Sequence, residues 1–208
     1  MTIPRTASVA IAVLTVLAFL IAGLLAANNE AALMLGFIPA RWSGLLPGWP
    51  GAWAILTPLS ATLVHGGFLH IAFNLLMLLW CGTQVERVLG RGSLIMLYVV
   101  GAYAAAAAQW LTDPSAIVPV IGASGAISAV IGAFALSFSR ARQLTRSVGL
   151  NRLINAAWLL VAWVVMQLMI GLASGAQGVM LATPAHIGGF VAGLLMQRPL
   201  LLWRYRKA

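Results

Sequence analysis

Long apolar stretches recur along this chain, and they limit its possible folds more than any other feature. About 20 consecutive apolar residues cross the hydrocarbon core of a bilayer as an α-helix. Six stretches have or approach this length, at about residues 7–27, 58–82, 93–110, 122–139, 153–173 and 184–203. Because 62% of the 208 residues are apolar and only 7% are charged, the composition excludes an ordinary soluble domain. We therefore predict an all-α, polytopic membrane protein in which residues 1–208 form one bundle of six transmembrane helices.

The first stretch resembles a signal peptide, because Arg5 precedes it and small residues, Ala26 and Ala27, end it. Its apolar run is longer than the usual signal core. We therefore expect it to be a helix of the mature protein.

The basic residues predict how these helices are oriented. Of the 12 Lys and Arg residues, all except Arg41 would lie on one side of the membrane. Loops rich in Lys and Arg stay in the cytoplasm, so we expect both termini there, in a multi-pass protein of the bacterial inner membrane. This distribution explains the formal net charge of +9 as a topology signal, and we expect no binding to nucleic acid.

The stretch from about 28 to 57 is more apolar than a water-soluble connection. It contains Trp42, Trp49 and Trp53 among prolines and glycines, and tryptophan is favoured between lipid headgroups and water. We therefore predict an interfacial first outer loop, with a loop packed on the helix bundle as the alternative.

Five polar side chains fall near the outer ends of three predicted helices. They are His65, His70 and Asn74 in the second span, Ser124 at the start of the fourth, and His186 in the first turn of the sixth. Because these three spans all run from outside to inside, the five residues should lie at a similar depth. Imidazole, amide and hydroxyl groups are costly in hydrocarbon unless they pair or face water, so this layer indicates a functional site.

Small residues offer a way to bring two of these helices together. The stripes are Gly125, Ala129 and Gly132 beside the serine, and Gly189 and Gly193 near the face of the last histidine. Such stripes let helix backbones approach closely. We therefore expect the serine to reach that histidine across the helix contact.

Ser124 and His186 together favour nucleophilic catalysis. A serine hydroxyl is a weak nucleophile until a neighbouring base takes its proton, and histidine suits that task near neutral pH. The chain has only three acidic residues, of which Glu86 belongs to the cytoplasmic end of the second span and the other two to outer loops. We therefore predict a Ser–His dyad rather than a triad.

Acyl transfer also needs hydrogen-bond donors where negative charge develops on the carbonyl oxygen. The best candidates are Asn74, His70 and the backbone N–H of Ser124.

Because Cys81 is the only cysteine, the sequence offers no disulfide and no cysteine metal cluster. We predict neither a metal nor a cofactor.

These residues resemble the motifs of the rhomboid intramembrane serine proteases, in their minimal bacterial six-helix form. The matching motifs are HxxxxHxxxN at His65, His70 and Asn74, GASG around Ser124, AHIGGFVAG around His186, and QVERVLGRG from Gln84 to Gly92. They follow the family's order across nearly the whole chain. Two positions differ from the family: Trp53-Ala54 stands where members often have Trp-Arg, and Ser128 stands where many have a Tyr that stacks on the catalytic histidine.

The resemblance implies a role for each polar residue. Ser124 would be the nucleophile, His186 the general base, His70 and Asn74 the oxyanion side, and His65, Gly122, Gly125 and Gly189 supporting residues. The substrates would be single-span or polytopic membrane proteins, cut in a transmembrane segment near its outer boundary. They would arrive sideways from the lipid bilayer between spans two and five, since Gly171, Gly175 and Gly178 lie in the outer half of span five.

Two other interpretations remain open. A catalytically silent relative would bind membrane segments as a chaperone. Alternatively, His65, His70 and His186 would form a metal site or part of a transport path, which leaves the GASG motif without a role.

Overall fold

The computed structural model describes residues 6–25, 27–46, 51–138, 144–173 and 182–206, which are almost entirely helical. In chain order the helices are α1 (Ala7–Leu24), α2 (Asn28–Leu35), α3 (Pro39–Trp42), α4 (Gly51–Ser60), α5 (Phe68–Met77), α6 (Thr83–Leu89), α7 (Arg91–Thr112), α8 (Ser124–Phe138), α9 (Val148–Ala173) and α10 (Thr183–Arg204). A 3₁₀ turn, Ala61–Leu63, follows α4, and a π-helical turn, Leu78–Gly82, joins α5 to α6. The segment Phe68–Leu89 is therefore one continuous helix.

Five of the described helices are long and apolar enough to cross a membrane. They are Ala7–Leu24, Phe68–Leu89, Arg91–Thr112, Val148–Met166 and Thr183–Arg204. These correspond to the first, second, third, fifth and sixth predicted spans. The predicted all-α membrane fold is confirmed, with five such helices rather than six in the described part of the chain.

The fourth predicted span corresponds to α8, which has 15 residues in the described part of the chain. At 1.5 Å per residue its length is about 22 Å, which is less than the roughly 30 Å of the hydrocarbon core. Helix α8 packs against α7, α9 and α10, and its Ile127, Ala129 and Val130 are completely buried. Other helices of the protein, rather than lipid, therefore surround most of the described part of α8.

The predicted boundaries of the second span, 58–82, are wrong. The helix begins at Phe68 and ends at Leu89, and the residues before it belong to α4, the 3₁₀ turn and an extended connection at Val64. Adjacent glycines, Gly66 and Gly67, precede the helix, and glycine disfavours a continuous helix because it loses the most conformational entropy there. His65 consequently lies in this connection, whereas the sequence had predicted that it lies in the helix.

The predicted outer loop contains α2, α3 and the start of α4. Phe37 pairs with Val120 in an antiparallel bridge and is buried. Trp53, in contrast, is 50% exposed. The packed alternative therefore holds for the part around Phe37, while Trp53 remains accessible to a lipid interface. Trp49 lies outside the described residues.

Side-chain contacts near both ends show that helices α8 and α10 run parallel. Ser124 and His186 meet near their N-termini. Near their C-termini, the amide of Gln197 donates to Oγ of Ser137 at 3.1 Å. The register between the two helices is therefore fixed at two levels.

Glycines allow α8 and α10 to touch along their backbones. A Cβ added at Gly189 would collide with the carbonyl oxygen of Gly125, and one added at Gly193 would collide with that of Ala129. Gly132 faces the backbone of α10 in the same way. The close approach that the small-residue stripes predicted is present.

Glu86, in α6, holds the start of α1. Its carboxylate accepts hydrogen bonds from the backbone N–H of Ala7 at 2.7 Å, the backbone N–H of Ser8 at 3.0 Å and the hydroxyl of Ser8 at 2.9 Å. The first N–H groups of a helix lack intrahelical partners and carry the positive end of its dipole, so a carboxylate there is favourable. Glu86 therefore ties α1 to α6, a full helix length away from His70.

Candidate active site

Ser124 is the first residue of α8, and the turn before it depends on Gly122. Gly122 has a φ of +109°, a conformation that residues with a Cβ rarely adopt. Its N–H donates to the carbonyl of Ala61 at 2.9 Å, and a Cβ added here would lie 2.6 Å from Nε2 of His70. Glycine thus permits the turn and leaves room for the imidazole beside it.

The structure brings Ser124 and His186 together. Oγ of Ser124 lies 2.8 Å from Nε2 of His186, although 62 positions separate the two residues in the sequence. Both side chains are buried. At this distance an imidazole can accept the proton of the hydroxyl, which is the geometry that a nucleophile and its base require.

The second ring nitrogen of His186, Nδ1, is buried and has no hydrogen-bond partner in the described part of the chain. In a triad a carboxylate orients the imidazole from this side. Glu86 is engaged at α1, Asp113 accepts hydrogen bonds from Ser115, and Glu30 is exposed on α2. None of the three acidic residues of the chain therefore orients the ring of His186.

His70 lies against the turn that carries Ser124, and Asn74 lies one helical turn further along α5. Nδ1 of His70 accepts the N–H of Gly66 at 3.4 Å, and its Nε2 faces Gly122. The Asn74 amide donates to the carbonyl of His70 in its own helix at 2.8 Å. Neither side chain is hydrogen-bonded to Ser124 in the described structure, and the Asn74 amide keeps a second N–H beyond the one that it donates to His70.

His65 contacts the backbone immediately before the serine. Its Nε2 accepts the N–H of Ala123 at 3.4 Å, and its ring centroid is 5.0 Å from that of His70. Among the described residues, no three His, Cys, Asp or Glu side chains come together as potential metal ligands. The position of His65 is thus that of a residue that supports the Ser124 turn.

A cavity of about 30 Å³ adjoins Ser124, with Ala105 and Ala185 in its walls. About 10–15 Å³ is enough to hold one water molecule, so water fits beside the hydroxyl. A larger cavity of about 720 Å³ lies between α8 and α9, where Phe134 and Trp158 line it. It contains none of the predicted site residues.

Ser128, where the family often has tyrosine, contacts a residue that the sequence analysis missed. Its hydroxyl donates to the carbonyl of Ser124 at 2.7 Å and accepts the indole N–H of Trp163 at 2.7 Å. The ring of Trp163 also packs against His186, with centroids 6.2 Å apart and an interplanar angle of 69°. One tryptophan in an apolar span carries no distinctive pattern, and the only sequence signal was the small residue at Ser128.

The other position that differs from the family is anchored through its backbone. The carbonyl of Ala54 accepts the indole N–H of Trp42 at 2.8 Å and the hydroxyl of Thr57 at 2.7 Å.

Of the glycines assigned to the opening between spans two and five, Gly175 and Gly178 lie outside the described residues.

Comparison with known proteins gives consistent matches. The family model described as "Rhomboid domain" matches residues 50–203. Rhomboid protease GluP of Bacillus subtilis (strain 168) is 30% identical over 142 residues, which cover 68% of this chain and 24% of that protein. Rhomboid protease GlpG of Photorhabdus laumondii is 34% identical over 137 residues, 64% of this chain and 43% of that protein. RHOMBOID-like protein 5 of Arabidopsis thaliana is 28% identical over 144 residues, 69% of this chain and 43% of that protein. The chain thus spans less than half the length of each of these relatives.

Proposed function

The chain belongs to the rhomboid family, and from that membership we propose that it is an intramembrane serine endopeptidase with a Ser124–His186 dyad. The observation that carries this proposal is the 2.8 Å separation of Oγ of Ser124 from Nε2 of His186. The relatives named as rhomboid proteases support the same reaction class. The activity needs no metal and no cofactor, because the dyad itself supplies both nucleophile and base.

In the first half of the reaction, Nε2 of His186 takes the hydroxyl proton while Oγ of Ser124 attacks the carbonyl carbon of a peptide bond. The imidazolium then donates that proton to the departing amine, and an acyl-enzyme remains. In the second half, His186 takes a proton from the water that attacks the ester, and it then returns this proton to Oγ of Ser124 as the new carboxyl end leaves. The cavity beside Ser124 has room for that water.

The negative charge that develops on the carbonyl oxygen needs donors nearby. Ser124 begins α8, so its N–H has no carbonyl one turn earlier to bind and lies at the positive end of the helix dipole. His70 lies against Gly122, two residues before the serine. We assign the backbone N–H of Ser124 as the first oxyanion donor, with His70 and the Asn74 amide completing that side.

The substrates are single-span or polytopic membrane proteins that reach the site through the bilayer. We propose that cleavage occurs near the outer boundary of the membrane, with both termini of the enzyme in the cytoplasm of a bacterial cell and residues 1–208 acting as one domain. The site lies at the start of α8 and α10, and a site near a membrane surface can be hydrated while its walls remain apolar.

The experiment is reconstitution in liposomes with a single-span reporter protein. The wild-type chain should cut the reporter, and Ser124→Ala and His186→Ala should each abolish cleavage while retaining the wild-type melting temperature in detergent. Undiminished cleavage by Ser124→Ala would refute the proposed nucleophile. Binding of the reporter by the wild type without any cleavage would instead support the catalytically silent alternative.

A further inference from the structure

Hydrogen bonds alone do not fix the orientation of His186. Its Nε2 contacts Ser124, and its Nδ1 has no hydrogen-bond partner in the described part of the chain. A catalytic base usually has a third group that orients it from the second nitrogen. A ring held at one nitrogen only can turn about that contact, so packing must supply the missing constraint.

We propose that Trp163 is the positioning residue that holds His186 in line with Ser124; this inference rests on the proposed protease function. The centroids of the two rings are 6.2 Å apart and their planes meet at 69°. This geometry falls in the favourable edge-to-face range for aromatic pairs, about 4.5–7 Å. Both rings are buried, with 3% of Trp163 and 4% of His186 exposed.

Trp163 is itself held by the residue one turn below the nucleophile. Its indole N–H donates to Oγ of Ser128, and the same hydroxyl donates to the carbonyl of Ser124. The hydroxyl of Ser128 therefore donates its single proton to the backbone carbonyl of Ser124, and one of its lone pairs accepts the indole N–H. Ser124 and His186 thus share one support, which connects α8, α9 and α10.

The small size of Ser128 is what admits the indole. Ser128 is completely buried, and a Cβ added at Gly189 would lie 3.2 Å from the Cβ of Ser128. Because Nε1 of Trp163 lies 2.7 Å from Oγ of Ser128, a larger side chain at this position would overlap the indole. The two positions therefore supply one aromatic ring between them, and exchanging which position carries it should preserve the support.

The test uses a set of variants in the full-length chain reconstituted in liposomes. They are Trp163→Ala, Trp163→Phe, Ser128→Tyr and the double variant Trp163→Ala/Ser128→Tyr. The control is Trp158→Ala, since Trp158 lies in the same helix and is 67% exposed. For each variant, kcat and KM are measured with the reporter, and the melting temperature is measured in detergent.

Loss of the ring should lower kcat and leave KM unchanged, because substrate binding does not involve the support. We expect Trp163→Ala to lose between about twofold and tenfold in kcat, equivalent to one aromatic contact. Trp163→Phe keeps a ring but loses the indole N–H, so its kcat should lie between those of Trp163→Ala and the wild type. The double variant should recover most of the loss, and Trp158→Ala should match the wild type.

Two results would overturn the inference. One is a wild-type kcat in Trp163→Ala or, if that variant does not fold, in Trp163→Phe. The other is a folded double variant whose kcat is no higher than that of Trp163→Ala, since a purely structural residue would affect melting without this rescue. Failure of the proposed function would look different, because Ser124→Ala would then cleave as well as the wild type.

Discussion

Gly122 combines a positive φ with direct packing against the ring of His70. The position of Ser124 follows from this turn, because the chain reverses here between the pairing at Val120 and the start of α8. The hydroxyl of the proposed nucleophile is therefore positioned by a residue that has no side chain. Its two neighbours, His65 and His70, contact the turn.

Replacing Gly122 by alanine should damage both stability and activity. The backbone is unfavourable for a residue with a Cβ, and the new methyl group would overlap the imidazole of His70. We expect a loss of about 2 kcal/mol in unfolding free energy and at least a tenfold loss of cleavage. Thermal melting and the liposome assay measure the two effects.

The matched control is Gly92→Ala, because an added Cβ at Gly92 has open space around it. This variant should melt at or slightly above the wild-type temperature, since alanine favours a helix over glycine. Equal melting temperatures for Gly122→Ala and Gly92→Ala would contradict the role given to the turn.

At the level of helices, the contact between α8 and α10 sets the spacing between Ser124 and His186. A methyl group at Gly193 would collide with the carbonyl of Ala129, and so would force apart the two helices that present Ser124 and His186. Overpacking of this kind costs about 1–3 kcal/mol. Gly193 lies roughly two turns from His186, or about 10 Å along the helix axis, so any effect on the dyad must pass through the spacing of the helices.

We therefore expect Gly193→Ala to melt at a lower temperature and to lose most of its cleavage activity. Gly23→Ala serves as the control, because Gly23 lies in α1 with no atom near the added Cβ. If Gly193→Ala retained wild-type cleavage, close helix approach would not be needed for the dyad.

The junction of α1 and α6 provides a second prediction at this level. Glu86→Gln keeps the shape of the side chain but removes its charge, and one of its oxygens becomes an NH₂ group that cannot accept the N–H groups of Ala7 and Ser8. Loss of these charge-assisted bonds should cost about 1–3 kcal/mol. Melting should show this loss, while Glu30→Gln, at an exposed position on α2, should leave the melting temperature unchanged. Equal stability of the two variants would contradict the capping role of Glu86.

Hydrophobic length predicted the helices well where a span is bounded by polar residues. The sixth span was predicted at 184–203 and is Thr183–Arg204. The same criterion failed at the second span, since α4 is also apolar and runs into the 3₁₀ turn before Gly66 and Gly67. The length of an apolar stretch does not reveal where one helix ends and the next begins, whereas a pair of adjacent glycines indicates such a break.

For the whole molecule, the sequence predicted which polar residues lie together better than it predicted their contacts. All three histidines were predicted to lie in one layer with Ser124, and the structure places them around the start of α8. The orientation of Asn74 and the contact of Trp163 with His186 could not be predicted, because they depend on side-chain packing between helices that are distant in sequence.

The topology gives a prediction for the whole molecule. Because Cys81 is the only cysteine and is buried, single new cysteines can be labelled without background. Ser115→Cys, between α7 and α8, should react with a membrane-impermeant maleimide on intact cells. Ser147→Cys, just before α9, should react only after permeabilisation. The reverse pattern would invert the proposed orientation and place the site at the cytoplasmic surface.

The most direct test of the central claim is covalent labelling of the purified protein by a fluorophosphonate probe, read by mass spectrometry of the modified peptide. The account predicts that Ser124 alone is labelled in the wild type and that His186→Ala reduces the labelling rate at least a hundredfold, as expected when a general base is removed. Labelling of Ser124 at the wild-type rate in folded His186→Ala, or no labelling of Ser124 in a wild-type protein that cleaves its reporter, would contradict it.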